Sequence, residues 1–182
     1  MRGPDRESLR RGVHADLDVF YGDRMQKIGS DAENVSHRLG RGELFVNAAI
    51  PFSNDDFINV AGRFGGLSRD DPSIVNPFLL GGFLNLSGLR IQQLAGSYEA
   101  FGRLVYYHRL TTLPWLGGDV FAGGSLETGN TWQQRSAISA SDLVTGGSAF
   151  LGADTFLGPL YFGYGRASGG ASSFYLLMGR PP

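Results

Sequence analysis

The chain has 182 residues, which suits a single domain, residues 1–182, with a substantial core. A formal net charge of -1 provides no concentrated basic surface, so we expect no nucleic-acid partner. The absence of cysteine excludes disulfides, thiol nucleophiles and cysteine metal sites. The 28 glycines and the 12% share of aromatic residues favour an all-β protein with many tight turns over a disordered chain.

Three segments in the first part of the chain alternate between apolar and polar residues. Residues 43–50 and 57–65 do so on either side of the turn-forming residues 51–56. A period of two predicts strands with one apolar face. Residues 21–42 are polar and rich in turn formers, and they predict a long loop with room for a helical turn. The first alternating segment sets Val13, Ala15, Leu17 and Val19 against His14, Asp16 and Asp18.

The sequence "PFLLGGFLNLSGL", residues 77–89, interrupts this pattern with three glycines among apolar residues. Each glycine in a helix interior costs about 1 kcal/mol relative to alanine. The stretch therefore predicts a shaped loop or a broken strand.

Five more alternating segments follow this stretch, and they bring the total to about eight strands of roughly eight to twelve residues. Strands of nine to eleven tilted residues cross a bilayer, whereas strands in soluble sandwiches more often have five or six. The five segments are residues 98–109, 119–127, 147–155, 159–166 and 172–180.

Charged residues such as Arg103 and Asp154 lie in the middle of predicted strands. An uncompensated charge is costly in an apolar core, but it is tolerated on the wet inner wall of a membrane barrel. The predicted fold class is therefore all-β, an antiparallel transmembrane β-barrel. A soluble antiparallel β-sheet binding protein has the same alternation and remains the alternative, as does a self-contained eight-stranded outer-membrane barrel.

The sequence offers little for catalysis or for cofactor binding. The segment "GGSLE", residues 123–127, approaches a nucleophile elbow, but that motif requires glycine where Glu127 stands, so we do not expect Ser125 to act as a nucleophile. The three histidines have no metal-ligand spacing, and "GYGRASGG" lacks the spacing of a phosphate loop. We expect neither enzyme activity, nor a cofactor, nor a metal.

No apolar run reaches the roughly 18 to 20 residues of a membrane helix. The N-terminus is charged and lacks the apolar region of a signal peptide, so export would depend on a longer precursor.

Five segments of the second half occur in a distinctive order, namely "LLGGFLNLSGL", "AFGRLVYYHRL", "VFAGGSLETGNTW", "FLGADTFLGPLYFGYGRASGG" and "SFYLLMGRP". Through them, residues 76–180 closely resemble the carboxy-terminal barrel of bacterial patatin-like phospholipases, a branch of the bacterial surface antigen superfamily. The resemblance implies a partial barrel, about eight strands of a sixteen-stranded one, in the bacterial outer membrane.

Barrels of this superfamily have a long loop that folds back inside and ends in a Val-Arg-Gly-Phe/Tyr motif, whose arginine pairs with acidic residues on the lumen wall. The resemblance places Leu86, Ser87, Gly88 and Leu89 at this tip, with Ser87 where the arginine would be. It implies Glu127 and Asp154 as candidate acidic partners and Arg90 as a substitute for the arginine. The charges expected to face the lumen are Arg90, Glu99, Arg103, Glu127 and Asp154.

The resemblance implies a structural or translocator module for a passenger such as a patatin-like phospholipase. The patatin domain and its nucleophile are absent from this sequence, so hydrolase activity is not implied. The expected partners are membrane lipid, the outer-membrane assembly machinery, and a second copy or the rest of a longer barrel.

Overall fold

The computed structural model describes residues 12–28, 33–68 and 77–179. Strands dominate this part of the chain, together with two short 3-10 helical turns at Arg135–Ala137 and Ala140–Asp142. None of the helical segments in the described ranges is long and apolar enough to cross a membrane. The strands are β1 Gly12–Ile28, β2 Glu33–Pro51, β3 Asp56–Leu67, β4 Phe78–Leu80, β5 Leu94–Gly96, β6 Tyr98–Leu113, β7 Gly117–Trp132, β8 Val144–Thr155, β9 Gly158–Ala167 and β10 Ser172–Met178.

Eight of these strands form one sheet in the order β1-β2-β3-β6-β7-β8-β9-β10, and every neighbouring pair is antiparallel. The short strands β4 and β5 pair with each other in a second sheet. The all-β antiparallel prediction is confirmed. Within the described residues the large sheet is open, because β1 pairs only with β2 and β10 pairs only with β9.

The loop predicted over residues 21–42 is wrong where the structure describes it, because β1 extends to Ile28 and β2 begins at Glu33. The two strands pair with each other along this length, from Gly12 opposite Ala49 to Ile28 opposite Glu33. The next strand, β3, pairs only with residues 41–51 of β2. Alternation of residue types arises where one face of a strand is buried, so it does not detect pairing that the backbone makes alone.

The two ends of the large sheet differ in the length of their connections. At one end, called the turn end, short turns at residues 52–55, 114–116 and 156–157 join β2 to β3, β6 to β7 and β8 to β9. At the opposite end, called the loop end, the described connections include residues 133–143 and the segment between β3 and β6. The described part of that second connection, residues 77–97, is called the inserted segment.

The inserted segment lies against one face of the sheet, called the covered face. Residues 81–89 are all buried, although they belong to a connection and not to the sheet. Two apolar clusters fill the space between the segment and the strands, so the core lies between the sheet and its own connection. One cluster contains Phe83, Leu84, Val105, Phe150, Tyr161 and Tyr175, and the other contains Leu80, Leu86, Leu89, Phe101 and Ala167.

The other face, called the open face, carries large apolar side chains that are exposed. They occur on every described strand from β2 to β10 of the large sheet. The open face includes Leu44, Val46, Ile50, Val60, Phe64, Leu104, Leu126, Leu151, Phe162, Tyr164, Phe174, Leu176 and Met178.

Candidate functional site

The candidate site is the loop tip, residues 86–89, and the strand residues that hold it. Strands β4 and β5 pair Phe78 with Gly96 and Leu80 with Leu94, so the inserted segment enters and leaves side by side. Beyond Leu80 the chain turns sharply at Gly81, whose φ of +123° is in the region that favours glycine. The turn is closed by hydrogen bonds from the Gly81 N–H to the Asn85 carbonyl, 2.7 Å, and from the Asn85 N–H to the Gly82 carbonyl, 3.0 Å.

Ser87 lies at the centre of the tip and binds the carboxylate of Glu127 on β7. Its backbone N–H donates to Oε2 at 2.6 Å and its hydroxyl donates to Oε1 at 2.7 Å. The same hydroxyl accepts a hydrogen bond from the Leu84 N–H at 2.9 Å. Ser87 is 0% exposed and Glu127 is 3% exposed, so this contact is sealed from solvent. Hydrogen bonds to a charged acceptor are among the stronger ones, and burial makes their loss expensive.

Two further serines extend this contact across the sheet. Ser125 donates to Glu127 Oε1 at 2.5 Å and lies 2.7 Å from the hydroxyl of Ser148 on β8. Because a serine hydroxyl has one hydrogen, and that of Ser125 is directed to Glu127, Ser148 must donate to Ser125. The carboxylate of Glu127 therefore accepts from Ser87 and Ser125, and Ser148 orients Ser125.

The last strand, β10, holds the two residues that follow Ser87. The Gly88 N–H donates to the Tyr175 hydroxyl at 2.9 Å, and that hydroxyl donates to the Leu89 carbonyl at 2.9 Å. Ser173 donates to the Gly88 carbonyl at 3.2 Å. Side chains of the sheet thus bind four backbone groups of the tip, the N–H groups of Ser87 and Gly88 and the carbonyls of Gly88 and Leu89. Buried backbone groups require such partners.

Two arginines hold the part of the segment that precedes the tip. Arg103 on β6 donates to the Leu84 carbonyl at 2.8 Å, and Arg63 on β3 donates to the Asn85 side-chain carbonyl at 3.0 Å. Arg63 also forms an ion pair with Glu99, at 3.0 Å between Nε and Oε1, and the Glu99 side chain is 1% exposed. The inserted segment is therefore bound by side chains from β3, β6, β7 and β10.

Strand β9 contributes space and not polar contacts. Its residues Gly163 and Gly165 lie on the covered face, where a Cβ atom on Gly165 would come within 2.7 Å of the Ser87 Cβ atom and 2.8 Å of the Gly88 nitrogen. Gly88 approaches equally closely from its own side, because a Cβ atom there would lie 2.3 Å from the Ala167 nitrogen. The backbones of the tip and of β9 are thus in direct contact, and any side chain at these positions would separate them.

Two leucines, one in the tip and one just before it, have a backbone conformation that leucine rarely adopts. Leu84 has a φ of 56° and Leu86 a φ of 73°, and they are 1% and 0% exposed. A residue other than glycine in this region costs on the order of 1 to 3 kcal/mol and persists only where its surroundings enforce it. Here the hydrogen bonds of Ser87 and the apolar packing of the two leucines enforce the conformation.

The charged residues that were expected to face the lumen together have different contacts and positions in the structure. Glu127 contacts Ser87 in the tip. Arg103 contacts the Leu84 carbonyl, and Glu99 pairs with Arg63. Arg90 is exposed, and its backbone N–H donates to the side chain of Gln93 at 2.8 Å.

Asp154 lies at the turn end of the sheet, opposite Pro159 in the β8–β9 pair. The tip is held by β7, whereas Asp154 is near the end of β8, so the two candidate acidic residues occupy different places.

Arg63, Tyr175 and Gly165 are site residues that the sequence analysis did not single out. The glycines of β9 carried a signal, because Gly163 and Gly165 occupy one face of a strand whose other face carries Leu160, Phe162 and Tyr164. Arg63 and Tyr175 had no such signal in the sequence, because each lies far along the chain from the residue that it contacts in the inserted segment.

The polar side chains of the site bind the inserted segment to the sheet. Ser87 and Ser125 both direct their hydroxyl hydrogen at a carboxylate within a sealed space. The one histidine whose side chain is described, His108, lies at the turn end, where Nδ1 is 2.8 Å from Asp56. No group of three or more metal-ligating side chains occurs among the residues that the structure describes.

No protein-family model matches the chain. No curated protein matches it either. The resemblance to the barrel of patatin-like phospholipases therefore stays a prediction.

Proposed function

We propose that the chain is an outer-membrane β-barrel segment of the surface antigen type, which acts as a structural or translocator module for a passenger such as a patatin-like phospholipase and has no catalytic role. The observation that carries this proposal is the open face, an apolar surface that continues from β2 to β10. A lipid environment is the solvent in which such a face is stable.

The apolar side chains of the open face are neighbours across the strands. Leu104 on β6 pairs in register with Val60 on one side and with Leu126 on the other. Towards the last strand, Phe162 pairs with both Leu151 and Leu176. The exposed fractions reach 70% for Leu126 and 76% for Leu176. Monomeric soluble proteins rarely expose contiguous apolar patches of more than a few hundred Å², so this face favours lipid over water.

The height of the open face suits a bilayer. On β2 the exposed apolar residues are Leu44, Val46 and Ile50, which occupy one face of the strand. A strand rises about 3.4 Å per residue, so these residues span about 20 Å along the strand, and less along the membrane normal because barrel strands are tilted. The apolar band of an outer-membrane barrel is about 25 Å tall.

The covered face combines apolar packing with buried polar and charged groups. It holds the ion pair of Arg63 with Glu99 and the hydrogen-bonded carboxylate of Glu127. Membrane barrels have polar interiors, in several cases filled by a loop. The inserted segment is suited to this position, because side chains of the sheet hold its tip.

The connections favour one orientation in the membrane. Outer-membrane barrels have short turns on the periplasmic side and longer loops outside. We therefore assign the turn end to the periplasm and the loop end to the exterior, from which the inserted segment would enter. Trp115, in the turn between β6 and β7, is 73% exposed, as expected of an aromatic residue at a membrane interface.

In this account the loop tip has a mechanical role. It keeps the inserted segment against the inner wall, where the segment occupies part of the lumen. A passenger would pass beside the segment or displace it. Release of the tip requires breaking the contacts of Ser87 with Glu127 and of Gly88 with Tyr175.

Expression of the full chain with an added signal peptide tests the proposal. We expect membrane fractionation that resists carbonate extraction, and faster migration in unboiled than in boiled detergent gels. Leu126→Arg places a charge on the open face and should reduce insertion by the equivalent of about 2–4 kcal/mol. Asp142→Arg, in a connection at the loop end, is the matched control and should insert normally. Recovery of the chain as a soluble monomer would instead favour the soluble β-sheet binding protein.

A further inference from the structure

Within the described residues, the large sheet has two open edges, β1 and β10. In lipid, the unpaired N–H and C=O groups of an edge have no water to bind, and for this reason only closed barrels span membranes as strands. If the proposed function holds, both edges must be paired by other strands.

Direct pairing of β1 with β10 in the same chain is disfavoured by the inserted segment. An eight-stranded barrel has an interior just wide enough for side chains. Here the covered face carries the backbone as well as the side chains of residues 81–89, all of them buried. A ring that encloses this segment needs more strands than the eight of this sheet.

The directions of the two edges make a second copy suitable. Eight strands in antiparallel succession leave β1 and β10 running in opposite directions. Two copies related by a two-fold axis along the barrel would therefore bring β1 of each copy antiparallel to β10 of the other. The resulting ring has twice eight strands, and the turn ends of the two copies lie on the same side.

The composition of the edges supports pairing. Natural edge strands are commonly protected by charged residues or proline, and β10, "SSFYLLM", has neither. Phe174, Leu176 and Met178 are 74%, 76% and 60% exposed, so the open face continues to this edge. On β1, Ala15 and Leu17 pair in register with Val46 and Leu44 of the open face. Pairing of β1 with β10 would thus place β10 beside the strand that neighbours the open-face residues of β2.

We propose that two copies of this chain close one barrel through two identical seams between β1 and β10. The inference rests on the proposed function, because the edges need no partner in water. Tyr175 and Ser173 of β10 bind the loop tip, so the seam lies beside a strand that the inserted segment already holds in place.

Cross-linking of cysteine variants tests the seam, and the chain has no cysteine of its own. Ala15→Cys and Leu176→Cys would be prepared separately, inserted together into vesicles and treated with a flexible bis-maleimide. We expect a covalent dimer from the mixture and none from either variant alone. The double variant Ala15→Cys with Val46→Cys, which are register neighbours in one chain, should cross-link within a monomer as a positive control.

The double variant Ala15→Cys with Leu176→Cys separates the alternatives. A dimer supports the inference, whereas a cross-linked monomer would show an eight-stranded ring and overturn it. If no cross-link formed while the positive control reacted, the edges would have to pair with other strands. This result would also overturn the inference. The gel shift on boiling is measured on the same vesicles. An inserted protein without the seam therefore contradicts only this inference, and a protein that does not insert contradicts the proposed function.

Discussion

Ser87 and Glu127 are joined by two hydrogen bonds, of 2.6 and 2.7 Å, from the backbone N–H and the hydroxyl of the serine to the two oxygens of the carboxylate. The residues are forty positions apart in the chain and both are buried. This relationship fixes a strained connection to the middle of a sheet. It also makes the stability of the inserted segment depend on one side chain of β7.

Ser87→Ala should destabilise the protein measurably. The substitution removes a donor to a buried carboxylate and the acceptor of the Leu84 N–H, so we expect a loss of about 1–3 kcal/mol in the free energy of unfolding. Urea unfolding in detergent micelles measures this value. Ser172→Ala, at an exposed position, is the control and should change it by less than about 0.5 kcal/mol. Equal stability of the two variants would contradict the role of the tip contact.

Gly165→Ala should separate the tip from β9. A Cβ atom at this position would lie 2.7 Å from that of Ser87, and overpacking of this kind costs typically about 1–3 kcal/mol. We expect a lower unfolding midpoint and faster cleavage of the inserted segment by chymotrypsin.

Gly102→Ala is the matched control for this strand glycine, because a Cβ atom there meets nothing within 4 Å. It should leave the protein as stable as the parent or slightly more stable, since alanine restricts the unfolded chain. If both variants behaved alike, the close approach of the tip to β9 would be refuted.

Asp56, the first residue of β3, provides a pH-dependent prediction at the turn end, beyond the apolar residues of the open face on this strand. Hydrogen bonds from Ser53, Tyr106 and His108 lower the pKa of this carboxyl from 3.8 to about 2. A lowered pKa means that the interaction stabilises the folded protein fully above pH 3.8 and that the contribution is lost as the pH falls towards 2. Ser53→Ala should raise the pKa towards 3.8, which the carboxyl carbon shift in NMR reports. Asn54→Ala should leave it unchanged, and the same pKa in both variants would disprove the assignment.

The two tryptophans should respond differently to lipid. Trp115 is 73% exposed at the turn end, and Trp132 is 7% exposed. In the variant Trp132→Phe, vesicles should shift the emission of Trp115 to shorter wavelength, with stronger quenching by lipids brominated near the headgroup than near the chain end. In Trp115→Phe, the emission of the folded protein should barely change on transfer from detergent to vesicles. Emission of Trp115 that matches the urea-unfolded protein would place the turn end in water.

The sequence was informative where one face of a strand differs chemically from the other. Alternation located β3 and β6 to β10, because an apolar face and a polar face follow each other residue by residue in these strands. It also located residues 13–19 of β1 and 43–50 of β2. It failed only in the rest of this hairpin, residues 21–28 and 33–42, where the strands pair through backbone groups that every residue has.

The site was less accessible to sequence reasoning. The glycines of residues 77–89 predicted a shaped loop, and only the family resemblance suggested that it folds inward. Neither the glycines nor the resemblance showed whether Glu127 or Asp154 binds the tip. That choice depends on the register of β7 and β8 and on the depth that the tip reaches. The contact of Gly88 with Tyr175 spans most of the second half of the chain, and no local pattern encodes it.

The central claim is that the open face meets lipid, and nitroxide labels on single cysteines along β7 test it most directly. The parent chain has no cysteine, so Leu126→Cys and Asn130→Cys can each be labelled cleanly and inserted into vesicles. Leu126 is 70% exposed in the middle of the open face, and Asn130 lies on the same strand near the loop end. We predict that the label at position 126 is accessible to oxygen dissolved in the bilayer and shielded from a water-soluble nickel complex, while the label at position 130 is more accessible to nickel. Greater accessibility of position 126 to the nickel complex than to oxygen would contradict the account.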